Sequence, residues 1–596
     1  MSEPVRYRVS MSRPHSHLFE VEATFPAAGD DLVLCLPVWT PGSYLVREYS
    51  RHVQEFTVTD AAGAPVPFER IDKRSYRVDA KHRAVHCRYK VYANELTVRT
   101  SHLDGTHGYF NGATMFFYAE KLRGHACHVT IDAPAGWRTT VALELIGDAF
   151  VAPNYDELVD SPFEVGPHTP ITFTAAGVPH EVVLWGEPQL DEKKLVGDLT
   201  RVIETEAALF GGLPLERYVF FIYGTDKGRG GLEHKACTAL IYPRTGFSSA
   251  KGWEDFITLA THEYFHLWNV KRVKPLRLVP FDYSQENYTE LLWYFEGGTS
   301  YYDNLLTRRA GLMSGARYLT RLGESLTALH GTPGRKVLPL AEASLISWTK
   351  HYRPDENSPN TAISYYLKGE IVCALLDLTI RRATSDQKSL DDVARLLWKR
   401  FGDESGVPER AVEAAAEEIA GTSLKDFFQH ALRGTAELGY EVFSHVGLEA
   451  RFRTRESPTD KGGTAPRSRA EKVEGWLGII PRTGNAIATV LEGSPAMNAG
   501  LYADDEIIAL DGLKCDAAGL ISRAEDRKPG DVLRVTVFRR EKLIEVPVTL
   551  GPKPADTVYL QRVERPTEAQ KQAWQSWLGT PWIEADSALN AAPLKV

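Results

Sequence analysis

His262-Glu263-Tyr264-Phe265-His266 lies inside the run Phe256 to Val270, which contains neither Gly nor Pro. Apolar residues fall on nearly every side of that run, the pattern of a helix buried all round. Ionisable groups are costly in such a place unless paired or metal-bound. Positions i and i+4 share one helix face, so His262 and His266 can aim two imidazoles at one point. Glu263 stands about 100° round from His262, near enough to touch a water held there without ligating the ion. This is zinc-hydrolase geometry. A plainer reading is two buried histidines hydrogen-bonded to backbone, and a third ligand elsewhere would decide between them.

Catalytic zinc takes three protein ligands and keeps one open position. Thr289 to Tyr302 reads as a second apolar helix carrying isolated carboxylates, and Glu296 is the expected ligand. The alternative is a helix carboxylate paired with Lys or Arg. Glu290 sits six residues earlier, too far round a helix to share the same ion. It either accepts a hydrogen bond from the distal N–H of a ligand histidine or is an ordinary carboxylate.

At 596 residues the chain is too long for one core. A hydrophobic content of 43% and a charged content of 25% are ordinary for globular protein. The net charge of −9 argues against nucleic acid as a partner. Six scattered cysteines with no CxxC pair read as buried thiols. No secretion leader and no apolar stretch near ~20 residues is visible, so a cytoplasmic, membrane-free setting is expected.

Residues 1–183 read as a β-rich domain, with Leu18 to Phe25 and Ala84 to Tyr92 alternating with period two. Thr40-Pro-Gly-Ser-Tyr44 is a turn signal that suits an interface loop or an ordinary surface loop. Near Pro188 the period changes: Leu195, Leu199, Val202, Ile203 and Leu209 mark an amphipathic helix stopped by Gly211-Gly212. Two strands, Tyr218 to Tyr223 and Thr238 to Tyr242, flank a Gly-rich loop that lacks the Gly-Lys-Ser/Thr of a P-loop. Helices dominate from Trp253 to about Leu432, interrupted at 344–361 by a long loop of functional type. Residues 184–454 therefore form the expected catalytic domain. Residues 455–474 read as a linker, 475–553 as a compact module, and 554–596 as a tail with a short helix anchored by Trp574, Trp577 and Trp582.

His262-Glu-Tyr-Phe-His266 followed by Trp293-Tyr-Phe-Glu296-Gly297 resembles the gluzincin pattern. The 29 residues between His266 and Glu296 exceed the spacing usual in the aminopeptidase N family and are similar to the glycyl aminopeptidase family. Trp268-Asn-Val-Lys-Arg272, Pro280-Phe-Asp-Tyr283 and Glu286-Asn-Tyr-Thr289 extend the likeness. The resemblance implies a multidomain α+β fold: a β-rich N-terminal domain, a thermolysin-like, mainly helical zinc peptidase domain and a C-terminal PDZ domain. Ser364-Tyr-Tyr-Leu-Lys-Gly369 resembles the segment that places an oxyanion-stabilising tyrosine, which implies that role for Tyr366, with Tyr365 as fallback. Gly231-Leu-Glu233-His234 resembles the GxMEN loop whose glutamate holds the substrate's α-ammonium, although Leu and His replace Met and Asn here.

Trp476-Leu477-Gly478-Ile479 resembles a PDZ carboxylate loop, where backbone N–H groups receive a chain terminus. Ser494-Pro-Ala-Met-Asn-Ala-Gly500-Leu501 and Asp505 to Gly512 resemble the rest of a bacterial-type PDZ signature, with Asp504 replacing its Gly. The implied whole is an aminopeptidase with one zinc ion, acting on peptides with a free N-terminus and preferring Gly or Ala there. Glu263 would act as general base and acid. A zinc endopeptidase and an inactive PDZ scaffold that recruits peptide C-termini are the alternatives.

Overall fold

The computed structural model describes residues 3–467 and 473–582. Residues 468–472, in the later part of the expected linker, and the last residues of the expected tail, 583–596, lie outside the described residues. The chain divides into two compact units, 1–288 with 397–408 and 289–396 with 409–596.

In the first unit, period-two alternation builds the N-terminal sheets. Val85–Tyr92 buries every second side chain and pairs antiparallel with Leu18–Phe25 in a seven-stranded sheet. Its one parallel pairing joins Val5–Ser10 to Cys127–Asp132. A four-stranded sheet holds the hairpin Ser101–Leu103 and Gly108–Phe110.

A separate five-stranded sheet has Tyr218–Thr225 at its centre, buried along its whole length between parallel neighbours. A strand buried on both faces reads as a continuous apolar run, as Tyr218 to Ile222 does. Ile171–Ala175 and Val178–Trp185 belong to this sheet, so the expected boundary after Val183 falls inside a strand. Gly230–Glu233 pairs only with Cys237–Pro243 and forms the sheet's edge. The helix Glu192–Phe210 begins at Asp191, whose side chain accepts from Lys193 and Lys194 N–H, and ends at left-handed Gly211. The helix Ala250–Phe265, capped by Ser249, packs on the strands Gly230–Glu233 and Cys237–Pro243.

In the second unit, Leu292–Phe295 and Gly297–Arg309 are helices meeting at Glu296. Gly297–Arg309 packs against the helix Tyr365–Ala383. A Cβ on Gly297 would stand 2.5 Å from Gly369 Cα, and one on Gly369 2.4 Å from the Trp293 carbonyl, so only glycine permits this approach. The segment read as a long loop at 344–361 carries short helical turns instead, including Ser347–Lys350 and Ser358–Thr361. The segment read as a linker is tied down where described: Arg453 pairs with Asp460, and Gly463 N–H donates to the Val558 carbonyl.

The module from 475 has its own apolar core and a four-stranded sheet of Leu513–Lys514, Glu506–Leu510, Val532–Arg539 and Lys542–Thr549. Asp505 is buried and takes two 2.7 Å bonds from the Arg539 guanidinium. Asp504 has φ +65°, the left-handed conformation that explains why a Gly is expected there. The tail helix Glu568–Leu578 is anchored by Trp577, whose Nε1–H donates to Tyr301 Oη at 3.0 Å. All six cysteines are buried free thiols.

Candidate active site

His262 occupies the last turn of Ala250–Phe265 and His266 caps its end, still in the right-handed helical region. Their rings lie 4.8 Å apart at 84°, and a ring nitrogen of each falls within 4.8 Å of the other. The intervening side chains pin the helix: Tyr264 Oη meets His180 Nε2 at 2.9 Å and its ring stacks on Phe220. Beyond His266 the chain turns sharply, with Val270 held at φ +95°, an outlier for a β-branched residue. That turn brings the Asn269 carbonyl to 2.8 Å from His266 Nδ1. A carbonyl only accepts, so Nδ1 carries the proton and the lone pair sits on Nε2, as a metal ligand requires.

Glu263 is buried and lies against the edge strand. A Cβ on Gly231 would be 2.2 Å from Glu263 Oε1. Glu233, at the end of that strand, is 4% exposed. Glu233, Glu263 and His266 each bring a ligand-type atom within 4.8 Å of the others, and Glu233 Oε1 has no hydrogen-bond partner among the described residues. Behind it, Asp160 takes bonds from Lys271 Nζ (2.6 Å) and Lys235 N–H (2.7 Å) and lies 3.2 Å from His234 Nδ1. Burial opposes charge on Asp160, but Lys271 and His234 outweigh it and hold its carboxyl far below the usual range.

The N-terminal sheets reach this place. The Thr40–Tyr44 turn, fixed by Trp39 Nε1–H to the Asp282 carbonyl, carries Gly42 at φ +86°. A Cβ there would fall 2.4 Å from Glu233 Oε1. The turn is therefore an interface loop. Arg99 Nη2 donates to the Gly231 carbonyl at 3.1 Å. Sequence reasoning missed both contacts, since nothing local ties Gly42 or Arg99 to a strand more than a hundred residues on.

In the second unit, Glu296 is buried at the junction of its two helices. Tyr365 is fully buried and Tyr366 half-buried. Each phenol lies 3.2 Å from Tyr352 Oη, and the His351 ring lies tilted against both rings at 5.0 and 5.5 Å. Burial first, then the Glu296 carboxylate, push the Tyr366 phenol far above its ordinary pKa, so it keeps its proton. Burial lowers the His351 pKa, against the pull of Glu296. Tyr352 and His351 were not singled out in the sequence; their only signal was their place in the 344–361 segment.

Glu290 needs a correction at His266, where the Asn269 carbonyl does the tautomer-fixing expected of it. Glu290 is instead partly exposed, 3.6 Å from Arg410.

Trp476, Leu477, Gly478 and Ile479 line a cleft of about 400 Å³ opposite Ile521 and Ala524 of the helix Ala517–Glu525. Arg455 and Thr327 close its other side.

The family model described as the peptidase M61 N-terminal domain matches residues 6–167, and that of the M61 glycyl aminopeptidase matches 255–372. The crystal structure of an aminopeptidase N family protein from Idiomarina loihiensis overlays with a TM-score of 0.90 at 30% identity, covering 97% of this chain and 100% of that one. The chain belongs to the glycyl aminopeptidase family. The chain is also similar to the M1 zinc metallopeptidase from Deinococcus radiodurans, at 15% identity and TM-score 0.45 over 73% of this chain and 95% of that one. A mutant of that protein bound to a Tyr-Ser-Ala substrate gives 15% and 0.47 over the same shares. No curated protein matches. The glycyl aminopeptidase segment contains His262, Glu263, His266, Glu296 and Tyr366, whereas Gly231, Glu233 and the C-terminal module lie outside both matched segments. No helix among the described residues is long and apolar enough to cross a membrane.

Proposed function

We propose that this member of the glycyl aminopeptidase family is a zinc-dependent aminopeptidase that removes single residues from peptide N-termini. The observation that carries this reading is the buried Oε1 of Glu233, without a hydrogen-bond partner among the described residues, beside Glu263 and His266. A buried carboxylate oxygen without a donor is costly, and a substrate α-ammonium supplies the donor and the opposite charge together. Its place on an edge strand lets substrate backbone pair alongside.

His262, His266 and Glu296 would hold one zinc ion. When bound there, zinc lowers the pKa of a water toward ~7 and polarises the scissile carbonyl. Glu263 takes the proton from the attacking water at its carboxylate and returns it to the leaving amine. Tyr366, kept protonated, donates to the oxygen on which negative charge develops. Glu233 fixes the ammonium, so the bond that reaches Glu263 is the first in the peptide. A preference for Gly or Ala rests on kinship with glycyl aminopeptidases.

The test compares alanyl-nitroanilide and short peptides with free and acetylated N-termini. Free substrates are cleaved and acetylated ones are not, and Glu233→Gln erodes that selectivity mainly through KM. Equal cleavage of both forms by the unaltered enzyme makes it an endopeptidase instead.

The C-terminal module is read as a PDZ domain with Trp476–Ile479 as its carboxylate loop. The cleft between that loop and the helix Ala517–Glu525 supports binding of a peptide C-terminus. Titration with a labelled peptide carrying a free or an amidated C-terminus checks it, with amidation expected to abolish binding.

A further inference from the structure

A second cluster of metal-type side chains sits on the hairpin Ser101–Leu103/Gly108–Phe110, whose turn is Asp104-Gly-Thr-His107. Asp104 Oδ1 accepts from Thr106 N–H (2.7 Å), Thr106 Oγ1–H (2.6 Å) and His107 N–H (3.2 Å). The turn is wound around that one oxygen, which leaves Oδ2 facing His102 Nε2 at 3.2 Å. His107 is fully buried, its ring stacked on Trp185 at 4.1 Å. Its Nδ1 lies 2.9 Å from Glu164 Oε1, and Glu164 Oε2 accepts from Tyr223 Oη at 3.0 Å.

A carboxylate opposite Nδ1 puts the proton there and the lone pair on Nε2, the backing found behind metal-bound imidazoles. His107 Nε2 is buried and has no partner among the described residues, and on His102 it is Nε2 that faces the cluster, beside Asp104 Oδ2. One ligand-type atom from each of His102, Asp104 and His107 falls within 4.8 Å of the other two. Two ligands on one zinc, at bond lengths of 2.0–2.1 Å and tetrahedral angles, stand roughly 3.3 Å apart. The Asp104–His102 separation already matches that. Exposure rises from 0% at His107 to 12% at His102 and 32% at Asp104, so a fourth position opens toward solvent.

We propose that His102, Asp104 and His107 bind a divalent transition-metal ion of the zinc class, distinct from the one on the helix pair. Two imidazoles and a single carboxylate suit zinc and disfavour calcium or magnesium, which take oxygen ligands. The bound ion ties the hairpin turn to its backing carboxylate. The same hairpin follows Arg99, whose guanidinium holds the Gly231 carbonyl, so the ion stiffens one support of the edge strand. The proposal does not depend on the peptidase reading.

The experiment is zinc stoichiometry by mass spectrometry and Zn²⁺ titration of the full chain, with circular dichroism to confirm folding. In a His262→Ala/His266→Ala background the chain still takes up one zinc, and zinc raises its Tm. Adding His102→Ala, or the milder Asp104→Asn, weakens that uptake at least tenfold and removes the Tm shift. Folded background protein that takes up no zinc overturns the proposal, and so does uptake indifferent to both hairpin substitutions. Loss of zinc from the helix pair is read separately, as the drop from two ions to one between unaltered and background protein.

Discussion

His262 and His266 stand four residues apart on a buried helix, while His102 and His107 stand five apart around a hairpin turn, and different partners orient them. On the helix, a backbone carbonyl at Asn269 fixes the His266 tautomer. On the hairpin, the Glu164 side chain does so for His107. Backbone survives any single substitution; a side chain does not. The helix pair also neighbours two buried carboxylates, Glu263 and Glu233, which on the reading proposed above move protons and hold an ammonium. The hairpin pair has an aromatic wall and a turn, which suit holding rather than reacting.

The strongest way to break that contrast is Glu263→Gln. Turnover is expected to fall about 10²–10⁴-fold with bound zinc unchanged, measured as kcat beside metal content; retained turnover removes the proton-transfer role. Next comes Tyr366→Phe, expected to lower kcat by about 10²–10³-fold with little change in KM. If Tyr365→Phe has the larger effect, the fully buried phenol is the donor and the assignment is reversed. Glu164→Gln sharpens the contrast from the other side: zinc affinity at the hairpin should fall about 10–100-fold, with the helix pair's affinity unchanged in the same titration. A loss at both sites would mean the two pairs are coupled.

The smallest effect concerns a buried carboxyl with no ion in prospect. Glu370, on the helix Tyr365–Ala383, is pushed up to about 8 by burial and then by Asp303. The folded chain keeps a proton that the unfolded chain sheds near its ordinary value of 4.5, so stability falls as pH rises between those values. Glu370→Gln should flatten Tm against pH across that window and raise Tm at its upper end. An unchanged slope would place the titration elsewhere.

The helix pair was legible because a 3.6-residue period converts spacing directly into direction. The edge strand was not: Gly230 and Gly231 read as the end of a Gly-rich loop although Gly230–Glu233 is a strand, and Glu233 stood out only through its resemblance to the GxMEN segment. Long-range packing was not. Gly42 and Arg99 carry no local mark of their contacts with Glu233 and Gly231, and the Asp104 turn reveals its histidines only once strand register is known. Of the two readings open for Glu290, the ordinary carboxylate fits its place beside Arg410; its helix was expected to begin at Thr289, whereas regular structure starts at Leu292. The boundary near Val183 was set where alternation weakens, although Val178–Trp185 is already the parallel neighbour of Tyr218–Thr225.

Gly42 lets a segment with no reactive residue press its backbone against the Glu233 carboxylate. Any side chain larger than hydrogen at that position would have to displace the carboxylate or the turn. The surroundings of Glu233 can therefore drift through changes in a segment far away in sequence while the carboxylate itself stays fixed, and a truncated chain lacking its first domain would lose one wall beside it.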